Sequence, residues 1–190
     1  ITVFWSFFEL SGSALTLFAE RNVDLELGFT AAMTNAINPF FIILFAIPFS
    51  AMWIFLAKYK MNPPTPVKFS LGIAQLGLGF LIFALSATSA TDAGMVPMWY
   101  LILGYMLMTT GELFISPVGL SKMTELAPTK IAAFVMGVWF FSSSFAHFIA
   151  GGLAKLTSVK SESGEAVSGM ESLDIYTGVF EQVAYIAFGV

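Results

Sequence analysis

The chain has 190 residues, 57% hydrophobic and 11% charged, with a formal charge of −4 at pH 7. Average soluble proteins carry about 25% charged residues, so this composition excludes a disordered chain and argues against a soluble domain. No basic patch suits nucleic acid. The absence of cysteine excludes disulfides, zinc-thiolate sites and thiol catalysis.

A bilayer crossing takes about 20 mostly apolar residues as a helix. In chain order, six such segments are predicted: 1–19, 28–57, 69–90, 95–120, 131–156 and 173–190. The first carries Glu9 near mid-depth, with Ser11, Gly12, Ser13 and Thr16 beside it. The second holds Asn35, Asn38, Pro39 and Pro48. Pro63, Pro64 and Pro66 then break the helix. Gly72, Gly77 and Gly79 mark the third segment as one that neighbours approach closely. The fourth contains Glu112, Ser116 and Pro117, and the fifth Trp139, Ser143 and His147. Residues 158–172 are rich in Ser, Gly and Glu, and are predicted to be a flexible external loop. Both ends lie inside apolar runs, so the chain is expected to be a fragment of a longer membrane protein.

Backbone groups in lipid must be satisfied internally, and these runs lack the period-2 alternation of barrel strands, so the segments are helices. Orientation follows Lys and Arg. The loops after the second and fourth segments hold Lys58, Lys60, Lys68, Lys122 and Lys130. The remaining loops hold Arg21, Lys155 and Lys160. The first set is therefore predicted to be cytoplasmic.

Ionisable residues inside the apolar segments are Glu9, Glu112, His147 and Glu181, and segments one to five contain no intramembrane Lys or Arg. Such residues normally face a bundle interior or a watery cavity, and they are functional candidates by default. Burial raises a carboxyl pKa and a nearby cation lowers it. A Glu that alternates between those settings takes up and releases a proton. The plainer reading of Glu112 is a neutral carboxylic acid bonded to a neighbouring helix. Ser116 shares its face four residues on, and Pro117 is equally an ordinary kink. Asn35 and Asn38 share a face, as interhelical glue or as ligand contacts. Trp139 at mid-depth is either packing or a pocket wall. A lone His on a small-residue face is more often structural, so His147 is left out of the predicted site. There is no metal-ligand spacing, nucleophile constellation or phosphate loop, and the chain is not expected to be an enzyme.

Four stretches carry a resemblance. Phe4-Trp5-Ser6-Phe7-Phe8-Glu9-Leu10-Ser11-Gly12-Ser13 resembles the seventh helix of proton-dependent oligopeptide transporters, a branch of the major facilitator superfamily. Residues 35–42 resemble that family's eighth helix, Gly111 to Ser121 its tenth, and Met136 to Phe140 its eleventh. The resemblance implies an all-α integral membrane protein, the C-terminal six-helix half of a twelve-helix transporter with its last helix truncated. It implies alternating-access symport of di- and tripeptides with protons, in a bacterial inner membrane, with the proton as coupling ion and no other cofactor. The N-terminal half of the same transporter would be the partner. By the same resemblance, Glu112 and Glu9 couple protons, and Asn38, Glu112, Ser116 and Trp139 meet the substrate. The family's first-helix Glu-x-x-Glu-Arg-Phe motif, pocket tyrosines and basic residues are absent from this chain. Two alternatives are a transporter of another solute, such as nitrate or a drug, and a membrane subunit without transport.

Overall fold

The computed structural model describes residues 1–26, 28–158 and 167–190. Seven α-helices follow in order: α1 Thr2–Phe8, α2 Ala14–Asn22, α3 Ile37–Lys58, α4 Thr65–Leu85, α5 Met98–Leu126, α6 Ala132–Ala154 and α7 Gly169–Gly189. Five continuous helical stretches are long and apolar enough to cross a membrane: Thr2–Asn22, Ala31–Lys58, Thr65–Ser89, Met98–Leu126 and Thr129–Thr157. The final predicted segment is helical as α7 but is not among these five, because Glu171, Asp174 and Glu181 dilute its apolar content.

Several boundaries differ from the sequence prediction. The first span is not one regular helix. A 3-10 turn at Glu9–Gly12 separates α1 from α2, and Ser13 leaves helical geometry at φ −132°, ψ −85°. Ser and Gly are weak helix formers, and three fall together at 11–13. The break frees the Ser11 carbonyl, which accepts from Thr16 Oγ1 at 3.0 Å and Tyr105 Oη at 3.2 Å. Side chains thus satisfy a group that lipid could not.

The second span opens as a 3-10 segment, Ala31–Ala36, and becomes α-helical at Ile37, with Pro39 in the first turn, where a missing N–H is tolerated. The third begins at Thr65, four residues before its predicted start, because Pro64 caps it in extended geometry and Pro66 suits a helix start. The helix α7 starts at Gly169 rather than near 173, since the Ser168 side chain accepts a hydrogen bond from the Glu171 N–H and caps it. Of the loop predicted at 158–172, residues 159–166 lie outside the described residues.

Glycine sets the tightest helix contact. Gly72 of α4 faces Gly111 of α5, and Gly79 faces Gly104 and Met108. A Cβ added at Gly111 would sit 2.6 Å from the Gly72 carbonyl oxygen, so the two backbones touch. The pairs are seven residues apart on both helices, a small-residue stripe of the kind that drives membrane helix association. Phe80 and Phe83 of α4 also meet Phe180 of α7, and Phe18 of α2 stands edge-on to Phe180 at 5.4 Å. All four rings are fully buried.

At the end of α2, the buried Asn22 amide donates to the carbonyls of Gly94 at 2.9 Å and Gly169 at 2.8 Å, while its oxygen accepts from Ser172 at 2.7 Å. A two-residue parallel strand pair, Val23–Asp24 with Val96–Pro97, lies beside it, outside the spans. These contacts pin the loop before α5 and the start of α7 to the end of α2. By contrast, the spans built on α3 and α6 are only 6% and 11% buried within the chain, against 39–50% for the other three. Their exposed apolar side chains include Ile43 and Ile47 on α3 and Phe141 and Phe148 on α6.

Candidate functional site

Four elements converge where the first span breaks. The carboxyl of Glu9 lies on the 3-10 turn, Asn38 in the first turn of α3, Glu112 mid-way along α5 and His147 on α6. The Asn38 Nδ2 donates to Glu112 Oε2 at 3.0 Å and to Thr109 Oγ1 at 3.1 Å. Thr109 in turn donates to the Tyr105 carbonyl at 2.7 Å, which leaves its oxygen free to accept from Asn38. Thr109 is fully buried, so this network fixes the Asn38 amide and, through it, one oxygen of Glu112. Both Asn38 donors are spent on α5. Its oxygen makes no hydrogen bond among the described residues.

The Glu9 Oε2 meets His147 Nδ1 at 3.2 Å, across the contact between the 3-10 turn and α6. Glu9 is 29% exposed and His147 59%, so this pair lies at the surface of the chain rather than in its packed core. Ser11, two residues after Glu9, accepts from Tyr105, two turns before Glu112 on α5, so the two acids singled out in the sequence lie on adjoining elements.

The other predicted positions sit differently. Ser116 is half-buried on the Glu112 face of α5 and makes no side-chain hydrogen bond among the described residues. Trp139 is 5% exposed, and its indole lies against Gly119, where a Cβ would come within 2.0 Å of the ring. Glu112, Ser116 and Gly119 follow i, i+4, i+7 spacing, so the indole marks the far end of one α5 face. Asn35 pairs with Thr16 at 3.3–3.4 Å, so the two amides of that stretch serve different neighbours.

Sequence reasoning missed Thr109 and the role of His147. Thr109 precedes Glu112 by three residues and so shares its face. His147 is the one basic side chain away from the ends of the apolar segments, in a chain whose intramembrane acids lack a partner in the sequence. Charge complementarity was the available signal.

The sequence profile of the POT family matches residues 1–170. The chain belongs to the POT family. The dipeptide and tripeptide permease A of Proteus mirabilis is 34% identical over 187 residues, covering 97% of this chain and 37% of that protein. A peptide transporter of Yersinia enterocolitica is 40% identical over 154 residues, 78% of this chain and 30% of its own length. Among solved structures, a peptide transporter POT in complex with sulfate superposes with a TM-score of 0.82 at 29% identity, covering 99% of this chain and 35% of that one. A POT family transporter in complex with 5-aminolevulinic acid gives 0.81 at 28% identity, over 99% and 37% of the two chains. This POT chain thus spans about a third of the length of the relatives it matches. It is part of a multi-pass membrane protein of a transporter family.

Proposed function

We propose that this POT chain is the C-terminal part of a proton-coupled symporter of di- and tripeptides in a bacterial inner membrane. The observation that carries the reading is the Asn38–Glu112–Thr109 network joining α3 to α5, with the Glu9–His147 pair at the break in the first span. In this reading the peptide ammonium binds to the Glu112 carboxylate and to the oxygen of Asn38, whose N–H groups are already committed. Charge-assisted bonds of this kind are about twice as strong as neutral ones.

The proton is the coupling ion. A carboxylate that holds a substrate ammonium cannot keep a proton on the same oxygens, so loading one releases the other. Glu112 is accordingly the group that exchanges a proton for the peptide. Glu9, on the 3-10 turn that breaks the first span, is the station through which the proton arrives or leaves. His147 steadies the ionised form of Glu9. Ser116 and Trp139 extend the pocket along the same face of α5. The remaining part of the transporter supplies a cation for the peptide carboxylate, since apart from His147 and Lys155, the latter at the very end of its segment, the apolar segments one to five contain no basic residue. Transport then follows the alternating-access logic of carriers whose site lies at the interface of two repeats. The loops after α3 and α5 are cytoplasmic; they and the helix ends that flank them carry five lysines, Lys58, Lys60, Lys68, Lys122 and Lys130.

The test is uptake of a labelled dipeptide by liposomes containing the intact protein, with and without an inward proton gradient. Gradient-driven accumulation is the expected result. Accumulation of nitrate or a drug but not of dipeptide, or of nothing, overturns the reading.

A further inference from the structure

A lysine stem packed into a fold holds its ammonium in one place, where a counter-charge is expected to meet it. Lys68, in the first turn of α4, is only 7% exposed. Its Nζ makes no salt bridge or hydrogen bond with the described residues; the neighbour it has is the Trp53 ring, 4.0 Å from its centroid. A cation–π contact contributes about 0.5–2 kcal/mol, and a neutral ring leaves the full charge uncancelled.

The ammonium lines a cleft of about 550 Å³ between the α3–α4 connection and α5. Its walls also carry Asn62, Thr65, Ser121 and Lys122. Lys122 is close enough to repel Lys68. It is held by Glu125 at 2.6 Å, and that carboxylate is not among the walls. No acidic side chain among the described residues lines the cleft. The start of the 21-residue helix α4 adds unbonded N–H groups and the positive end of its dipole. The cleft therefore presents the ammonium of a packed lysine, a second lysine, an amide, two hydroxyls and a helix N-terminus, with no counter-charge among the described residues.

Its depth and flanks decide which anion fits. Lys68 is in the first turn of the span Thr65–Ser89, at the level where a bilayer carries its phosphates. Lys58 and Lys60 lie on the adjoining connection. Ile54, Val67 and Leu71, exposed at 69%, 44% and 43%, offer apolar surface on the same two helices. A free anion needs no such surface; an acyl chain does. Basic pockets between membrane helices on the cytoplasmic side are suited to anionic headgroups.

We propose that this cleft binds the phosphodiester of an anionic phospholipid, with Lys68 as its principal ligand and Lys122, Thr65 and Ser121 around it. The assignment does not depend on what the protein transports.

The intact protein would be purified through mild delipidation from membranes containing phosphatidylglycerol, and the retained phospholipid counted by native mass spectrometry. The wild type is expected to keep an anionic lipid in preference to phosphatidylcholine. Lys68→Gln should lose retention by about tenfold, and Lys68→Arg should largely restore it. Should Lys68→Gln fail to fold, Ser121→Trp fills the cleft from an exposed position with both lysines intact, and is expected to lose the lipid as well. A wild type that retains no lipid overturns the proposal, as does equal retention by Lys68→Gln or by Ser121→Trp. Displacement of the bound species by millimolar inorganic phosphate, with no lipid recovered, would assign the site to free phosphate and overturn the lipid reading.

Discussion

Asn38 of α3 and Glu112 of α5, 74 residues apart in sequence, are joined by a 3.0 Å hydrogen bond. The bond has a fixed direction, because Thr109 occupies the amide's other donor at 3.1 Å. Replacing Asn38 by Ala removes both bonds, and hydrogen bonds to charged groups contribute about 1.5–3 kcal/mol. The expected outcome is a loss of about tenfold or more in apparent peptide affinity with the fold retained. A dipeptide competition curve in liposomes measures it. An unchanged curve would show that the amide serves only to hold α3 against α5.

Glu112→Gln separates binding from coupling. The amide keeps the shape of the side chain and can still accept from Asn38, but it cannot exchange a proton. Gradient-driven accumulation of dipeptide should fall to the level of empty liposomes, while exchange of labelled for unlabelled peptide at equal concentrations persists. Full accumulation by the Gln variant would remove Glu112 from the coupling step.

His147→Gln tests the second pair. The imidazole meets Glu9 at 3.2 Å across the contact between the 3-10 turn and α6. Gln can still donate to Glu9 but cannot carry a positive charge beside it. Gradient-driven uptake by the variant is expected to fall several-fold, with exchange little affected. Gradient-driven uptake equal to the wild type would reduce His147 to a packing residue.

The parts of this fold that follow from one-dimensional pattern were legible in the sequence. Apolar runs of bilayer length located the five spans, and the proline cluster at 63–66 located the turn between α3 and α4. Glu9 and Glu112 stood out because a carboxyl inside an apolar run demands an explanation. What escaped was pairing. That Glu9 meets His147, or that Asn38 turns to α5 while Asn35 turns to α2, depends on the packing of helices far apart in the chain. Asn22 shows the same limit. In the sequence it is one polar residue in a short connector. In the structure it is fully buried and bonds three segments, including one 150 residues away. Helix starts were displaced wherever a capping side chain or a proline, rather than hydrophobicity, set the boundary, as at Ser168 and Pro64.

Asn22→Ala should therefore destabilise the protein without touching the proposed site. It strips a donor from the Gly94 and Gly169 carbonyls and an acceptor from the Ser172 hydroxyl. Each buried group left unsatisfied costs about 1–3 kcal/mol. A lowered melting temperature in detergent is expected, with peptide affinity unchanged in the folded fraction. A melting curve that matches the wild type would mean that water replaces the amide.

Gly111→Ala probes the contact that sets the height of Glu112 beside α4. The new methyl would stand 2.6 Å from the Gly72 backbone oxygen, which cannot turn aside as a side chain would. The helices must separate, and overpacking of this kind costs about 1–3 kcal/mol. Because Glu112 is the next residue, the displacement also carries its carboxyl away from Asn38, so both stability and peptide affinity should fall. Gly137→Ala on α6 is the matched control, since a Cβ there meets nothing within 4 Å. The control should leave melting temperature and dipeptide competition at wild-type values. Equal behaviour of the two alanine variants would show that the α4–α5 seam yields freely, and that the backbone contact does not position the acid.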